Sequence, residues 1–429
     1  MRKLVTFCLA GLIVTVLGLG STTAVWGARK LILWSVHTAF THYNKYFETE
    51  GEKFAKLHPE IKGVDVVVIP YAGYISKYLT AFMGKKEAPD IFEAMTHQWA
   101  GLFQFADPMP EDFAKTIEEE QVPYVAAQGV VGGERYGVPT EGCNFMMQYI
   151  NIEMFEEAGL DPNNLPKNFD ELLECAKKLT KSDAAGEITR SGFAIRYAGH
   201  PIGITDKFTP FLHGMGASLV APDFSTATGY TNSPEAVNAL TWYTNLVGKW
   251  KVSSTKLGLP SEAFAQKLAA IIFREGWYAG YLRDNAPDVY SKIKVSPCPQ
   301  NENSLGPTVY PLFPWVNMVY RYSPYKDLAW EFLRYMWTAE HDLKQHKVQD
   351  MFPVWKKNLD TEYARTRLYY GALVQTLKDT PYAPHYYHPT QNKIAFTYGD
   401  AVLDALFGRA SAEVALEMAT AEINLLLEK

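Results

Sequence analysis

The sequence is poor in cysteine, carries no strong excess of either charge and has no long apolar run after its first residues. Four cysteines and a formal net charge of −6 accompany 429 residues. A mildly acidic chain without basic runs argues against a nucleic-acid partner, and no later segment is apolar for long enough to span a bilayer. The length instead allows two or three domains with a large buried core.

Catalytic and metal-binding motifs are also missing. The chain has no G-x-S-x-G elbow, no H-E-x-x-H zinc motif, no phosphate-binding P-loop and no G-x-G-x-x-G dinucleotide turn. His385 and His388 lie between prolines and are interpreted as part of a rigid loop rather than as a metal site. His341 and His346 are expected on a solvated helix face. We therefore expect no enzyme activity, no metal and no cofactor.

The first residues have the pattern of an export signal. Two basic residues precede an apolar stretch at 4–19, and small residues at 21–27 lead to a cleavage site. Val25 and Gly27 suit the −3 and −1 positions, so a signal peptide at 1–27 is expected to be removed. An uncleaved anchor is disfavoured because glycines interrupt the short apolar stretch. No cysteine lies at this site to accept a lipid, which predicts a free periplasmic protein.

Three cysteines would remain after processing: Cys143, Cys175 and Cys298. Their spacing matches no metal site, and an odd number cannot all pair within one chain. One disulfide is compatible with an oxidising compartment, and the sequence leaves its pairing open.

Aromatic residues are abundant. The 10 Trp, 26 Tyr and 23 Phe make up 14% of the chain. Tyr and Trp combine flat apolar faces with a polar group, which suits amphipathic ligands such as sugars. Large cores also use aromatic residues, so the composition favours such a ligand only mildly.

The N-terminal part has a βαβαβ pattern. Apolar segments at 31–36, 64–69 and 91–94 alternate with helical patterns at 43–57 and from Ile75. The second segment is rich in β-branched residues, which is typical of a strand buried on both faces. The order predicts a parallel sheet with right-handed crossovers. Ligands of such sheets bind beyond the carboxyl ends of the strands, which indicates residues 37–40, 71–74 and 96–99.

A segment at 132–183 has the pattern of a crossing between two lobes. A glycine pair forms a tight turn, a short strand at 136–139 ends in a proline, and a second apolar strand follows at 145–150. Asn168 is a good N-cap for a later helix, and Glu171 completes a capping box.

Five segments in the same order resemble the family 1 extracellular solute-binding proteins, the sugar-capturing subunits of ABC importers. They include FAKLHPEIKGV, YGVP, SPEAVNAL, REGW and AWEFL, and they lie at 54–94, 132–183, 231–247, 269–280 and 310–336. Each segment alone is weakly specific. The five together, in order along nearly the whole mature chain, form a specific pattern.

The resemblance implies an α/β, two-lobed periplasmic-binding-protein fold of type II. Each lobe would have a central sheet flanked by helices, with the ligand cleft between the lobes. We expect lobe one to comprise 28–142 plus 314–340, and lobe two 143–313 plus 341–429. The protein is expected to be a monomer that passes a carbohydrate ligand to ABC permease subunits.

Four aromatic residues are candidates for stacking on a sugar ring. The resemblance places a sugar-stacking tryptophan at Trp277, with a core tryptophan as the alternative. Trp315, on the returning strand, could reach the cleft or support the hinge, and Trp99 lies at a carboxyl-end loop with the same ambiguity. Tyr74 could lie at the rim or in the core.

Six polar residues lie where they could bind sugar hydroxyls. Carboxylates, amides and arginine engage two oxygens at once. The alternatives are solvated side chains and, for the arginine, an internal salt bridge. The candidates at the crossing and the strand ends are His37, Glu93, Glu141, Asn144, Arg196 and Tyr197.

The leading hypothesis is a binding protein that captures a mono- or oligosaccharide by hinge closure. A secreted glycan hydrolase is one alternative; it needs two carboxylates across the cleft, and the sequence singles out no such pair. The same fold binding a phosphorylated or other anionic solute is another alternative. That ligand needs converging arginines or helix N-termini, and the sequence shows Arg196 without a cluster around it.

Overall fold

A computed structural model describes residues 29–37, 41–71, 73–95, 101–141, 146–306, 315–379, 388 and 390–428. The expected signal peptide at 1–27, the candidates Trp99 and Asn144, and Cys143 lie outside these residues. So does most of the histidine-containing loop, including His385.

Two five-stranded sheets form the framework. Their strands, with a separate β4–β5 hairpin, are β1 Arg29–Ser35, β2 Ile61–Val68, β3 Ile91–Met95, β4 Val130–Val131, β5 Glu134–Arg135, β6 Gly137–Pro139, β7 Met147–Asn151, β8 Lys181–Ser182, β9 Ile188–Phe193, β10 Ala269–Arg274, β11 Ile293–Pro297 and β12 Trp315–Val319. The first sheet has the order β2-β1-β3-β12-β6 and the second β11-β7-β10-β9-β8. β1 is parallel to both β2 and β3, which confirms the predicted parallel arrangement.

Helices cover both sheets. They are α1 Thr41–Ala55, α2 Tyr74–Gly84, α3 Glu111–Glu120, α4 Pro123–Ala126, α5 Ile152–Glu157, α6 Phe169–Leu179, α7 Pro201–Gly214, α8 Pro234–Gly248, α9 Pro260–Ala265, α10 Trp277–Asn285, α11 Pro287–Tyr290, α12 Lys326–Met336, α13 Ala339–Gln349, α14 Glu362–Arg365, α15 Tyr370–Asp379, α16 Gln391–Leu406 and α17 Ala412–Leu427, with short 3₁₀ turns at Phe103–Phe105 and Lys356–Asn358. No helix in the described ranges is both long and apolar enough to cross a bilayer.

Each sheet has a hydrophobic core on both faces, because successive side chains along a strand point to opposite sides. In β1, Leu31 and Leu33 pack into one core and Trp34 into another. In β10, Ile271 and Ile272 separate in the same way between the two cores of the second sheet. This arrangement of a sheet between helical layers is typical of an α/β fold.

The chain crosses between the sheets. β12 follows the strands of the second sheet in sequence, yet it pairs antiparallel with β3 and β6 in the first. The chain therefore leaves the first sheet after β6 and returns to it at β12. An additional connection is made by Val122 and Val125, which pack in a core of the second sheet.

The predicted helix start at Asn168 is confirmed. The Asn168 side chain accepts a hydrogen bond of 2.9 Å from the Glu171 backbone N–H. The Glu171 carboxylate accepts in return from the Lys167 N–H at 2.8 Å and from the Asn168 amide at 3.0 Å. The first of these bonds satisfies a donor that the first turn of α6 would leave open. The return bonds come from the Lys167 N–H and the Asn168 side chain, whereas in a standard capping box the return bond comes from the N–H of the cap residue.

The expectation that β2 is buried on both faces is wrong. β2 lies at the edge of the first sheet and pairs with β1 alone among the named strands. Val64 is buried, Val66 and Val67 are half-buried, and Val68 is 43% exposed. β-branched residues suit any pleated, half-buried surface, so the pattern could not distinguish a central strand from an edge.

The expectation that His341 and His346 are solvated is also wrong. Both lie on α13, where they are 8% and 0% exposed, because α13 packs against α1 and the turn at Lys356–Asn358. A ring nitrogen of His341 lies 2.7 Å from the Tyr46 hydroxyl. The His346 ring lies 3.1 Å from the Asp342 carboxylate, which raises the pKa of His346 although burial opposes this.

Cys175 and Cys298 are both free thiols. Cys298 is buried, and burial raises the pKa of its thiol. A thiol with a raised pKa is a poor nucleophile, which fits a structural position in the core.

Substitution of Gly192 tests how closely α6 packs on the second sheet. A Cβ at this β9 residue would overlap the carbonyl oxygen of Ala176 in α6. Because a backbone atom cannot rotate away, Gly192→Ala must displace the helix. We expect the free energy of unfolding to fall by about 1–3 kcal/mol, measured by urea denaturation.

Gly248→Ala is the matched control. This last residue of α8 has no atom within 4 Å of a built Cβ, and alanine favours helix over glycine. Its stability should be unchanged or slightly higher. If Gly192→Ala unfolded at the same urea concentration as the wild type, the close approach of α6 to β9 would be refuted.

Candidate functional site

A buried ionic group lies at the carboxyl ends of strands in the first sheet. His37 follows β1, Glu93 is in β3, and Glu141 follows β6; they are 5%, 0% and 2% exposed. The His37 Nδ1 lies 2.9 Å from Glu93 and the Nε2 lies 2.8 Å from Glu141. The Tyr43 hydroxyl donates to the other Glu93 oxygen at 2.9 Å. Three residues predicted separately from sequence thus form one group.

His37 in this group is an imidazolium. Burial alone would lower its pKa, but the carboxylates of Glu93 and Glu141 raise the pKa of His37 from 6.5 to about 10. Burial would raise the pKa of Glu93, and the His37 charge outweighs it, so the Glu93 pKa is lowered. With both ring nitrogens acting as donors, one cation lies between two carboxylates.

An aromatic group lies beside these charges. The half-buried Trp315 ring is 5.2 Å from the His37 ring, 6.2 Å from Tyr74 and 6.4 Å from Tyr71, measured between centroids. Tyr74 is buried, whereas Tyr71 is half-buried. Trp315 begins β12, the strand that returns from the second sheet. Flat rings and carboxylates therefore meet where the chain crosses.

The remaining described candidates lie at the corresponding edge of the second sheet. Arg196 and Tyr197 follow β9, and Trp277 follows β10 after Glu275 and Gly276. β9 and β10 are parallel neighbours, so their carboxyl ends lie on the same side. Arg196, Tyr197 and Trp277 are all half-buried.

Trp277 has a neighbour that the sequence did not reveal. The Arg274 guanidinium lies over its ring, 4.7 Å from the centroid. Tyr278 and Tyr281 meet Trp277 edge-on, at 5.9 and 6.3 Å. One face of the indole is thus covered by a cation, and a stacked ligand would have to use the other face.

The two edges approach one another. The Tyr71 ring, after β2 of the first sheet, lies 5.4 Å from the His200 ring, which precedes α7 of the second-sheet side. Burial, followed by the charge of Arg196, lowers the pKa of His200. The Tyr71–His200 contact therefore connects the Trp315 group with the Arg196 region.

The structure brings eight predicted residues to two places. His37, Tyr74, Glu93, Glu141 and Trp315 lie together at one edge of the first sheet, and Arg196, Tyr197 and Trp277 follow strands of the second sheet. Trp99 and Asn144 lie outside the described residues. Tyr71 falls within the predicted segment 71–74 but was not singled out as a candidate, and His200 lies three residues after the candidate Tyr197. Other residues whose contacts sequence reasoning missed are Tyr43, Lys207, Arg274 and Glu275. Tyr43 and Lys207 lie inside helices without a motif, and Arg274 and Glu275 lie in the REGW segment, where only the tryptophan was a candidate.

The combination of aromatic rings with carboxylates and arginine is typical of a ligand-binding site and does not indicate a particular reaction. Rings that expose a face offer apolar contact to the C–H surface of a small amphipathic molecule, and the nearby carboxylate can accept hydrogen bonds from its hydroxyl groups. Within the described ranges, no group of three or more His, Cys, Asp or Glu side chains is arranged to hold a metal ion. A two-sheet fold with crossing strands and such a site defines a two-lobed binding protein.

The chain belongs to the bacterial extracellular solute-binding proteins, whose family model matches residues 35–342. A curated relative, the arabinooligosaccharide-binding protein of Bacillus subtilis (strain 168), is 23% identical over 330 residues, covering 74% of this chain and 71% of the relative. Membership in this family implies an exported protein.

Solved structures share the fold. An ABC transporter solute-binding protein from Thermotoga lettingae, bound to α-D-tagatose, superposes with a TM-score of 0.79 and 23% identity, covering 93% of this chain and 100% of that chain. A maltose-bound binding protein of T. maritima gives a TM-score of 0.79 at 20% identity, with coverage of 93% and 100%. The predicted two-lobed periplasmic-binding-protein fold is confirmed.

His37→Gln tests the ionic group. Removing the cation leaves two buried carboxylates without their partner, which costs about 3–5 kcal/mol for a buried pair. Because the pKa of folded His37, about 10, exceeds the ordinary 6.5, its stabilisation is complete below pH 6.5 and is lost as the pH rises toward 10. The stability difference between wild type and variant should therefore shrink over this range in urea denaturation.

His42→Gln is the control for this series, because His42 is an exposed histidine on α1. It should leave the pH dependence of the unfolding free energy unchanged. A His37→Gln difference that stays constant from pH 6.5 to about 10 would show that His37 is not an imidazolium in the folded protein.

Proposed function

We propose that this protein captures a carbohydrate between its lobes and delivers it to the permease subunits of an ABC importer. The observation that carries the proposal is the placement of Trp315 and Tyr71 beside the buried His37–Glu141 pair, at the edge where the two sheets approach. Relatives whose names state a ligand, including binders of arabinooligosaccharide, maltose and mannobiose, support a sugar.

Ligand binding would use both lobes. We assign 28–142 plus 314–340 to lobe one and 143–313 plus 341–429 to lobe two. Trp315 and Glu141 belong to the two crossings between them, so a sugar held there would contact the hinge as well as both lobes. Closure is stabilised only to the extent that the ligand prefers the closed form. Trp277, Arg196 and Tyr197 would contribute from lobe two.

The proposed transport role also implies a location and an oligomeric state for the protein. We propose that residues 1–27 are a cleaved signal peptide, that the mature protein is free in the periplasm, and that it acts as a monomer. The family supports export. The cleavage site is supported by the small residues Val25 and Gly27 alone.

The carboxylates of the first lobe do not suit glycoside hydrolysis. A glycosidase needs a carboxylic acid that stays protonated, with a raised pKa, beside an ionised partner. The pKa of Glu93 is lowered, and both Glu93 and Glu141 are bound to the same imidazolium. Capture without cleavage therefore fits this pair better.

Trp315→Ala tests the sugar-binding role. Removing the ring should weaken sugar binding at least tenfold, which corresponds to about 1.4 kcal/mol of lost contact. The measurement is isothermal titration calorimetry against a panel of mono- and oligosaccharides, with thermal unfolding to verify the fold. Chromatography of the same mixtures would reveal any hydrolysis products.

Trp250→Ala is the matched control, because Trp250 is a half-buried tryptophan that packs against Trp242 at the outer core of the second sheet. It should keep wild-type affinity. A protein that gives heat only with a peptide, polyamine or metal ion would refute the carbohydrate proposal, and accumulating products would favour an enzyme.

A further inference from the structure

A cluster of three cations lies at the lobe-two edge of the proposed site. Arg196 follows β9, Arg274 ends β10, and Lys207 is in the second turn of α7. Within this cluster, Glu275 pairs with Lys207 and lies 3.6 Å from the Arg274 Nε. The sequence showed Arg196 alone, because the other two cations lie on separate elements that only the fold brings together.

The two guanidinium groups have unpartnered donors, although Arg274 also lies 3.6 Å from Glu275 and over the rings of Trp277 and Tyr278. Arg274 is 7% exposed, and its buried Nε makes no hydrogen bond with any described residue. The buried Arg196 Nε likewise lacks a hydrogen-bond partner in the described part of the chain. Buried donors without a partner cost free energy, and a guanidinium offers five donors in a fixed geometry. Because these Nε atoms are themselves enclosed, an anion from outside would meet the other guanidinium nitrogens of the two arginines.

The charges within the cluster do not balance. Three cations face Glu275 and Asp206, both buried, while the nearby Glu262 is exposed to solvent. Burial raises the pKa of Asp206 to about 7, whereas the charges of Arg274 and Lys207 overcome burial and lower the pKa of Glu275 to about 2. Three cations against two buried carboxylates leave an excess of cationic side chains in a protein of net charge −6, although burial also lowers the pKa of Lys207 and of Arg196.

The cluster also faces the proposed ligand site. Arg274 lies over Trp277, and the charge of Arg196 acts on His200, whose ring contacts Tyr71 of lobe one. On the opposite side, the His37 ring lies between the carboxyl groups of Glu93 and Glu141. Among the described residues, cationic side chains therefore outnumber acidic ones toward lobe two, and acidic side chains outnumber cationic ones toward lobe one.

We infer that the carbohydrate carries an anionic substituent, a carboxylate or a phosphate, that binds Arg196 and Arg274. The inference rests on the proposed function and specifies its ligand class. The anion would occupy the open donors of the guanidinium groups, because planar carboxylate and phosphate oxygens match their bidentate geometry. Neutral hydroxyl groups of the same ligand would face Glu141 and Trp315.

The test compares matched sugars on the wild-type protein by calorimetry: galactose, galacturonate and galactose 6-phosphate, with glucose and glucuronate, and neutral and uronate disaccharides. We expect at least one anionic sugar to bind tenfold or more tightly than its neutral counterpart, and this preference to weaken at high salt. A uronate preference identifies a carboxylate, and a 6-phosphate preference identifies a phosphate.

Arg274→Gln and Arg196→Gln should each reduce the anionic preference, which is the ratio of the affinities for an anionic sugar and its neutral counterpart, tenfold or more. Arg190→Gln is the control for charge loss, because Arg190 is a buried arginine near the amino end of β9 that pairs with Glu157. It should keep the preference. If a variant fails to fold, the comparison of anionic with neutral sugars on the wild-type protein still tests the inference.

The outcomes separate the two proposals. If neutral sugars bind as tightly as their anionic counterparts, the anionic inference is overturned and carbohydrate capture stands. If neither kind of sugar binds, the proposed function itself is overturned.

Discussion

The contact between His37 and the two carboxylates is the constraint on which the first half of the site depends. It joins the end of β1, the interior of β3 and the segment after β6, which is a crossing between the sheets. A buried cation between two buried carboxylates tolerates little movement, because each lost partner leaves a charge unpaired in a poorly polarisable interior. Trp315 packs against the His37 ring, so the position of the aromatic group follows from the ionic group.

The second half of the site is built differently. In lobe two, Arg196, Arg274 and Lys207 lie near the two buried carboxylates Asp206 and Glu275, and the buried Nε atoms of both arginines have no hydrogen-bond partner among the described residues. The ionic group of lobe one is thus held by hydrogen bonds between its own members, whereas the two arginine Nε atoms of lobe two are left without a described partner. This difference suits a protein in which lobe one binds one end of the ligand and the cationic groups of lobe two close over the other end. Closure then depends on the ligand, because the ligand supplies the hydrogen-bond acceptor for these cationic groups.

The sequence predicted the fold further than the site. The βαβαβ order and the strand ends follow from local periodicity, so His37, Glu93 and Glu141 could be named from their positions. That they share one imidazolium could not be predicted, because they are up to 104 residues apart and meet only through the pairing of β3, β12 and β6. Lys207 has no local signature, and Arg274 lies in the REGW segment, where only Trp277 was singled out. The errors at β2 and α13 have the same origin: burial is decided by neighbours distant in sequence.

The most direct test of this account is a crystal structure of the protein with the sugar that binds most tightly. We expect a closed form in which a sugar ring lies against Trp315 and a hydroxyl group of the sugar contacts Glu141. The opposite end of the ligand should reach Arg196 and Arg274. A ligand bound outside the cleft, or one that touches neither Trp315 nor the crossing at Glu141, would contradict it.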